Sequence, residues 1–262
     1  DNSVSHALEY YIADFALSRF AEALGKKKDA EMFYKRSLGY KHYYSKEFGT
    51  FRPILPDGTF YSPFNPRQGE NFEPNPGFHE GSAWNYSFYV PHDVYGLAKL
   101  MGGKNPFIKK LQMVFDEGLY DPANEPDIAY AHLFSYFRGE EWRTQKETQR
   151  LLDKYFTTKP NGIPGNDDTG TMSAWAIFNM IGFYPDCPGL PEYTLTTPVF
   201  NKVTIRLDPK WYKEKELVIE SNRTQPGTLY INKVLLNGKK FNQYRITHDE
   251  LVHSQRILFD LK

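Results

Sequence analysis

From Val4 to Leu24 the apolar side chains Val4, Leu8, Tyr11, Ile12, Phe15, Phe20 and Leu24 recur at steps of three and four. That period gathers them on one face of an α-helix, with Ser3 or Ser5 as N-cap and Gly25 as the stop. Residues 29 to 44 repeat the pattern through Met32, Phe33, Leu38 and Tyr43. The two segments therefore predict a helical hairpin, joined by a solvated Gly-Lys-Lys-Lys loop. The same spacing returns over 82–101, 106–115, 128–137, 141–156 and 172–181, about seven helices in all with no strand between them. Helical hairpins separated by irregular loops predict a ring of helix pairs whose loops converge on an axial cleft.

Two stretches break this rhythm. Residues 49 to 77, GTFRPILPDGTFYSPFNPRQGENFEPNPG, crowd proline, glycine and aromatic residues without a long period. They predict an elaborate loop with a hairpin turn at Pro56-Asp57-Gly58, of a length that suits the wall or lid of a cleft. After Pro185 short β-branched runs take over at 193–197, 202–207, 216–220 and 228–231, followed by the turn signal Asn237-Gly238. The division that follows is a helical domain over 1–190 and a small antiparallel β module over 191–262.

Composition adds limits to this outline. The 262 residues hold 32 Lys plus Arg against 32 Asp plus Glu, which leaves no electrostatic footprint for nucleic acid or an anionic membrane. No apolar run approaches the ~20 residues that span a bilayer. The start, DNSVSHALEYY, has neither an initiating Met nor a basic-then-apolar signal region, and it reads either as a mature product or as a piece of a longer protein. Cys187 is the only cysteine, which excludes an internal disulfide and a cysteine-rich metal site. The 19 Tyr and 20 Phe suit aromatic-lined clefts as well as cores.

Three acidic motifs stand at the starts of helical segments. In Phe78-His79-Glu80-Gly81-Ser82-Ala83-Trp84-Asn85-Tyr86, Glu80 is placed either for the helix dipole or, walled by Trp84 and Tyr86, as an acid of raised pKa. In Asn124-Glu125-Pro126-Asp127 the alternatives are a proline-led helix start and a set of oxygen ligands for sugar hydroxyls or a hard cation. In Gly165-Asn166-Asp167-Asp168-Thr169-Gly170, adjacent aspartates cannot point the same way in extended chain. One of them is expected to cap the next helix while the other faces the cleft. Two separated carboxylates are what glycoside hydrolysis requires, one protonated and one ionised. No P-loop, HExxH, paired-cysteine zinc pattern or nucleophile elbow competes with that reading. His92 and His132 read as structural histidines; His79, beside Glu80, is a candidate for the site.

The runs HEGSAWNYSFYVPHDVYGLAKLMGG, NEPDIAYAHLFSYFRGEEWRTQ and NGIPGNDDTGTMSAWAIFNMIGFYPDCPG, with PEYTLTTPVFNKVTI after them, resemble glycoside hydrolase family 92. The likeness runs in order over almost the whole chain. It implies a mainly α fold, part of an (α/α)6 toroid followed by a C-terminal β module, in a largely bacterial family of calcium-dependent, inverting exo-α-mannosidases. It also implies an N-terminal β-sandwich that this chain lacks, mannose-containing glycans as partners, and a periplasmic or secreted setting. Carried over by residue, Glu80 is implied as the general acid and Asp168 as the base, with Asp167 beside it as alternative. His79, Trp84, Asn124 and Glu125 are implied at the sugar, and Asn124 and Asp127 at a calcium ion. Some members have Asp-x-Asp where this chain has Asn166-Asp167-Asp168, and Ser-His-His-like residues where it has Asp127-Ile128-Ala129. The rival expectation is a non-catalytic sugar-binding or scaffold piece.

Overall fold

The computed structural model describes residues 2–69, 73–225 and 227–262. Residues 70–72 of the expected long loop lie outside the described set. The chain divides into two compact units, residues 1–130 with 187–190, and residues 131–186 with 191–262.

The first unit opens on the predicted hairpin, α1 (Ser3–Ala23) and α2 (Lys27–Ser37). Gly25 adopts φ +71° and Lys26 N–H bonds back to Ala21 O at 2.8 Å, the left-handed stop that only glycine adopts without strain. The expected serine cap is absent. The N–H groups of Val4 and Ser5 are instead satisfied by Gly77 O at 2.9 and 3.2 Å, and Ser5 Oγ accepts from His79 N. Tertiary contact has replaced the local cap, which ties α1 to the third of the chain that carries Glu80.

A short antiparallel pair, β1 (Tyr44–Ser45) and β2 (Thr50–Phe51), corrects the expectation of no strand among the helices. The turn at 56–58 forms as predicted: Gly58 N bonds to Leu55 O at 2.9 Å, and Leu55 N to Thr59 O at 2.8 Å. Arg52 pins the loop from inside, its guanidinium 5.0 to 5.5 Å from the Phe48, Phe60 and Phe64 rings and its Nε donating to Tyr61 O.

The helix expected over 82–101 is two pieces, α3 (Ala83–Tyr86) and α4 (Val94–Leu100). Pro91 breaks it, because proline disfavours helical backbone in the residue before it, and Val90 sits at φ −137°. Asp93 restarts the helix by accepting from Gly96 N at 3.0 Å. α5 (Lys104–Asp116) follows, burying Phe107, Ile108, Leu111, Val114 and Phe115 at helical spacing. His92 is packed on Phe15 and Tyr40 and bonds Ser37 O at 3.0 Å, a structural role as expected.

The second unit holds α6 (Glu141–Tyr155), α7 (Thr171–Ile181) and most of the strands. The helical pattern over 128–137 is realised as a 3-10 turn, Tyr130–Tyr136. Buried His132 stacks on Tyr184 at 4.4 Å and bonds Asn179 Oδ1 at 2.9 Å. β3 (Phe183–Tyr184), β4 (Glu192–Leu195) and β9 (Arg245–Thr247) make a three-stranded sheet. β5 (Lys202–Arg206), β6 (Glu216–Arg223), β7 (Ile231–Leu236), β8 (Lys239–Phe241) and β10 (Arg256–Leu261) make a five-stranded sheet in the order β5-β6-β10-β7-β8.

That sheet is mixed, not antiparallel: β10 pairs parallel with β6 and antiparallel with β7. The crossover through β9 and α8 (His248–Val252) brings the chain back between two strands already paired elsewhere, and one of them then has to be matched in parallel. Ile257, Phe259 and Leu261 of β10 alternate into the core with Leu217, Ile219 and Val234. The strand expected at 228–231 begins only at Ile231. Before it, Thr228 Oγ1 bonds Gln225 O in a local turn, the competition that hydroxyl side chains offer to a ladder. Asn237 and Gly238, at φ +49° and +80°, form the predicted hairpin turn between β7 and β8.

Candidate active site

In the first unit the structure brings His79, Glu80, Trp84, Asn124 and Asp127 into one hydrogen-bonded neighbourhood. Glu80 occupies the left-handed region at φ +49°, where a residue with a Cβ is strained. The backbone around it is held on every side. His79 N donates to Ser5 Oγ at 2.8 Å, and His79 O accepts from Tyr86 OH at 2.8 Å. Glu80 O accepts from Asn124 Nδ2 at 2.9 Å, and Gly81 O from Asn75 Nδ2 at 3.2 Å. The carboxyl itself stays 62% exposed, 3.6 Å from His79 Nε2, whose other ring nitrogen lies 3.2 Å from Asn2 Nδ2. The segment is thus a fixed backbone carrying a free carboxylate.

The following turn is closed by a capping box. Ser82 Oγ accepts from Trp84 N at 3.2 Å, and Asn85 Oδ1 accepts from Ser82 N at 2.8 Å. Ser82→Ala is expected to cost about 1 to 2 kcal/mol in unfolding free energy, measured by denaturant titration. The aromatic residues do not wall Glu80 as the sequence led one to expect. The Tyr86 hydroxyl is spent on the His79 carbonyl, and the Trp84 ring lies 5.7 Å from the Lys110 ammonium. The buried Trp84 indole N–H meets no acceptor among the described residues.

The second acidic motif forms a 3-10 turn, Glu125–Asp127. Asn124 stands at its N-cap position without capping it, because its amide is turned to Glu80. Asp127 is fully buried; Oδ2 accepts from Asp121 N at 2.8 Å and from Asn85 Nδ2 at 3.1 Å. Oδ1 has no partner among the described residues. Burial pushes the Asp127 carboxyl well above the usual carboxylate range.

One residue of this neighbourhood carried no signal in the sequence. Glu9 reads as one polar position among many on α1, yet its Oε2 accepts from Tyr89 OH at 3.2 Å, with the Tyr89 ring edge-on to Tyr86 at 6.0 Å. Burial raises the proton affinity of Glu9, and the negative charge of Glu125 adds to it.

In the second unit the aspartate pair divides its labour. Asp167, at φ +54°, takes Ser173 N on Oδ1 at 2.8 Å and Ser173 Oγ on Oδ2. It holds the start of α7, and the Ser173 hydroxyl, then its N–H, keep the carboxyl below its usual range. Asp168 opens a short 3-10 turn, Asp168–Gly170. Its carbonyl accepts from the hydroxyls of Thr169 and Thr171, both at 2.7 Å, while its exposed carboxylate has no hydrogen bond among the described residues. Thr169 and Gly170 also carry positive φ, +53° and +76°, so the loop before α7 is a succession of left-handed residues around the exposed Asp168.

Among the described residues no group of three His, Cys, Asp or Glu side chains is placed to hold a metal ion. No helix is long and apolar enough to cross a membrane.

Comparison with known proteins places these features in a family. The model of the glycosyl hydrolase family 92 catalytic domain matches residues 1–262. A protein named as an uncharacterized secreted glycosidase of Arthroderma benhamiae is 26% identical over 265 residues, 94% of this chain and 34% of that protein. Among solved structures, the family GH92 α-mannosidase BT3965 of Bacteroides thetaiotaomicron superposes with a TM-score of 0.90 at 31% identity, over 99% of this chain and 34% of that one. The family GH92 inverting mannosidase BT2199 of the same organism gives 0.88 at 31%, over 100% of this chain and 37% of its own. The chain therefore spans 34 to 37% of the length of these relatives.

Proposed function

This chain belongs to glycosyl hydrolase family 92, and from that premise we propose that the protein carrying it is an inverting, exo-acting α-mannosidase that removes terminal mannose from α-1,2 or related linkages. The observation that carries the reading is a pair of exposed carboxylates, Glu80 and Asp168, each on a backbone locked by its neighbours. Such groups are held in place without being spent on the fold. Glu80, as general acid, gives its proton to the glycosidic oxygen as the bond to the anomeric carbon breaks. Asp168, as general base, takes a proton from the water whose oxygen forms the new bond on the opposite face. Inverting glycosidases in general hold their two carboxyl groups about 6.5 to 9.5 Å apart. Asp167 is the weaker choice for base because both its oxygens are engaged by Ser173. His79, Trp84, Asn124 and Glu125 are assigned to the sugar.

The same reading makes the helices through residue 190 part of an (α/α)6 toroid and the strands of 191–262 an appended β module. It adds an N-terminal β-sandwich elsewhere in the protein that completes the mannose pocket, and a bacterial setting outside the cytoplasm. The test is proton NMR of the complete protein acting on α-1,2-mannobiose: the first mannose released from the non-reducing end is the β anomer. Release of the α anomer removes inversion, and no release at all favours the sugar-binding, non-catalytic alternative.

Calcium fits this chain in kind but not in number. The Asp127 Oδ1 orphan and the Asn124 side-chain oxygen are hard donors of the type calcium takes, but the ion needs six to eight oxygens, and no group of three His, Cys, Asp or Glu side chains is placed to hold one among the described residues. No catalytic step is therefore routed through the ion here. This chain by itself is expected to bind calcium no more tightly than about 1 mM, the range of weakly charged sites. Calorimetric titration reads this directly, and a sub-micromolar constant would show a complete site within these residues.

A further inference from the structure

The side chain that grips the Glu80 backbone comes from the second acidic motif. Asn124 Nδ2 donates to Glu80 O at 2.9 Å. Gly81 leaves room for that amide, since a Cβ there would lie 3.1 Å from Asn124 Nδ2 and 3.1 Å from Asn85 Oδ1. Asn85 extends the chain of contacts: its oxygen accepts from Ser82 N, and its nitrogen donates to Asp127 Oδ2 at 3.1 Å. Asp127, fully buried, is the fixed point, held in turn by Asp121 N. The result imposes φ +49° on Glu80, a conformation that persists only where the surroundings over-determine it.

We propose that Asn124, Asn85 and Asp127 are positioning residues that set the direction in which the Glu80 carboxyl faces. The inference rests on the reading of Glu80 as general acid. Their side-chain amides donate to the Glu80 carbonyl and to Asp127 Oδ2, so the network ends on the backbone that carries Glu80 and on its own members. A misaimed acid leaves a kinetic trace that loss of folding does not. It slows departure of a sugar, whose oxygen needs the proton, and spares a leaving group acidic enough to depart as an anion.

The test compares Glu80→Gln, Asn124→Asp and Gly81→Ala in the complete protein, on α-1,2-mannobiose and on 2,4-dinitrophenyl α-mannoside, with melting temperatures alongside. Asn124→Asp keeps the size and the oxygen donor of the native residue but offers Glu80 O no N–H. Gly81→Ala presses on the Asn85 and Asn124 amides from the other side. Both are expected to lose about tenfold or more in kcat on mannobiose and less than about threefold on the dinitrophenyl substrate, as a displaced reacting group does. Equal losses on both substrates, or none, overturn the proposal. If Glu80→Gln itself shows no dependence on the leaving group, the acid assignment fails first; if it does and the other two variants do not, positioning alone falls.

Discussion

Glu80→Gln in the complete protein lowers turnover of α-1,2-mannobiose by about 10²- to 10⁴-fold, the range removed with a general acid. The glutamine keeps the volume, and the side chain it replaces is 62% exposed, its carboxyl 3.6 Å from His79 Nε2. The hydrogen bonds of this segment run through its backbone and through Asn124, Ser5 and Tyr86, and all of them survive the change. Melting temperature is accordingly expected to stay within about 2 °C of the parent, as for other exposed substitutions. The 2,4-dinitrophenyl substrate keeps most of its rate because its phenolate leaves without a proton. Retention of full activity on mannobiose would strip Glu80 of the acid role.

The aspartate pair gives the second large effect and the sharper contrast. Asp168→Asn is expected to cost about 10²- to 10⁴-fold on mannobiose and on the aryl mannoside alike, since the base acts on water whatever the leaving group. Asp167→Asn is expected to cost stability first. Its two oxygens receive the Ser173 N–H and hydroxyl, and the native carboxylate is favoured over its unfolded counterpart. That stabilisation is present above the ordinary carboxylate range and lost as pH falls through the lowered native pKa. The melting temperatures of the parent and Asp167→Asn should therefore differ at pH 7 and converge toward pH 2. Should Asp167→Asn be the variant that abolishes turnover with its melting point unchanged, the roles of the two residues exchange.

Much of this was legible because periodicity speaks for long helices. α1, α5, α6 and α7 fall within a few residues of their expected spans, while α2 stops at Ser37, seven residues short of the expected Tyr44, and the chain continues as a 3-10 helix, Leu38–Tyr43. The helix over 82–101 was not legible, since an apolar period continues straight through Pro91 and only the backbone restriction of proline divides it. β10 escaped because ILFDL carries no turn to announce it, and its parallel pairing depends on where the chain returns rather than on its own residues. In the site, one aspartate of the pair holds the next helix as expected, Asp167 through Ser173, but it does so from left-handed backbone and not from the alternation of an extended segment. The reach of Asn124 across 44 residues to the Glu80 carbonyl was not legible, because hydrogen bonds between distant loops leave no local pattern. Glu9 stayed hidden for the same reason.

The strand that completes the larger sheet follows, in chain order, the four others it joins. β10 fills the gap between β6 and β7, so before it arrives each of them presents an open edge of unpaired N–H and C=O groups. On a translating ribosome this module cannot fold from front to back: its middle comes last, and its half-sheets wait with their apolar faces uncovered. Removal of Arg256–Leu261 would accordingly leave two separate ribbons prone to pairing with other chains, and holdase chaperones would be needed most in the seconds before residue 261 emerges.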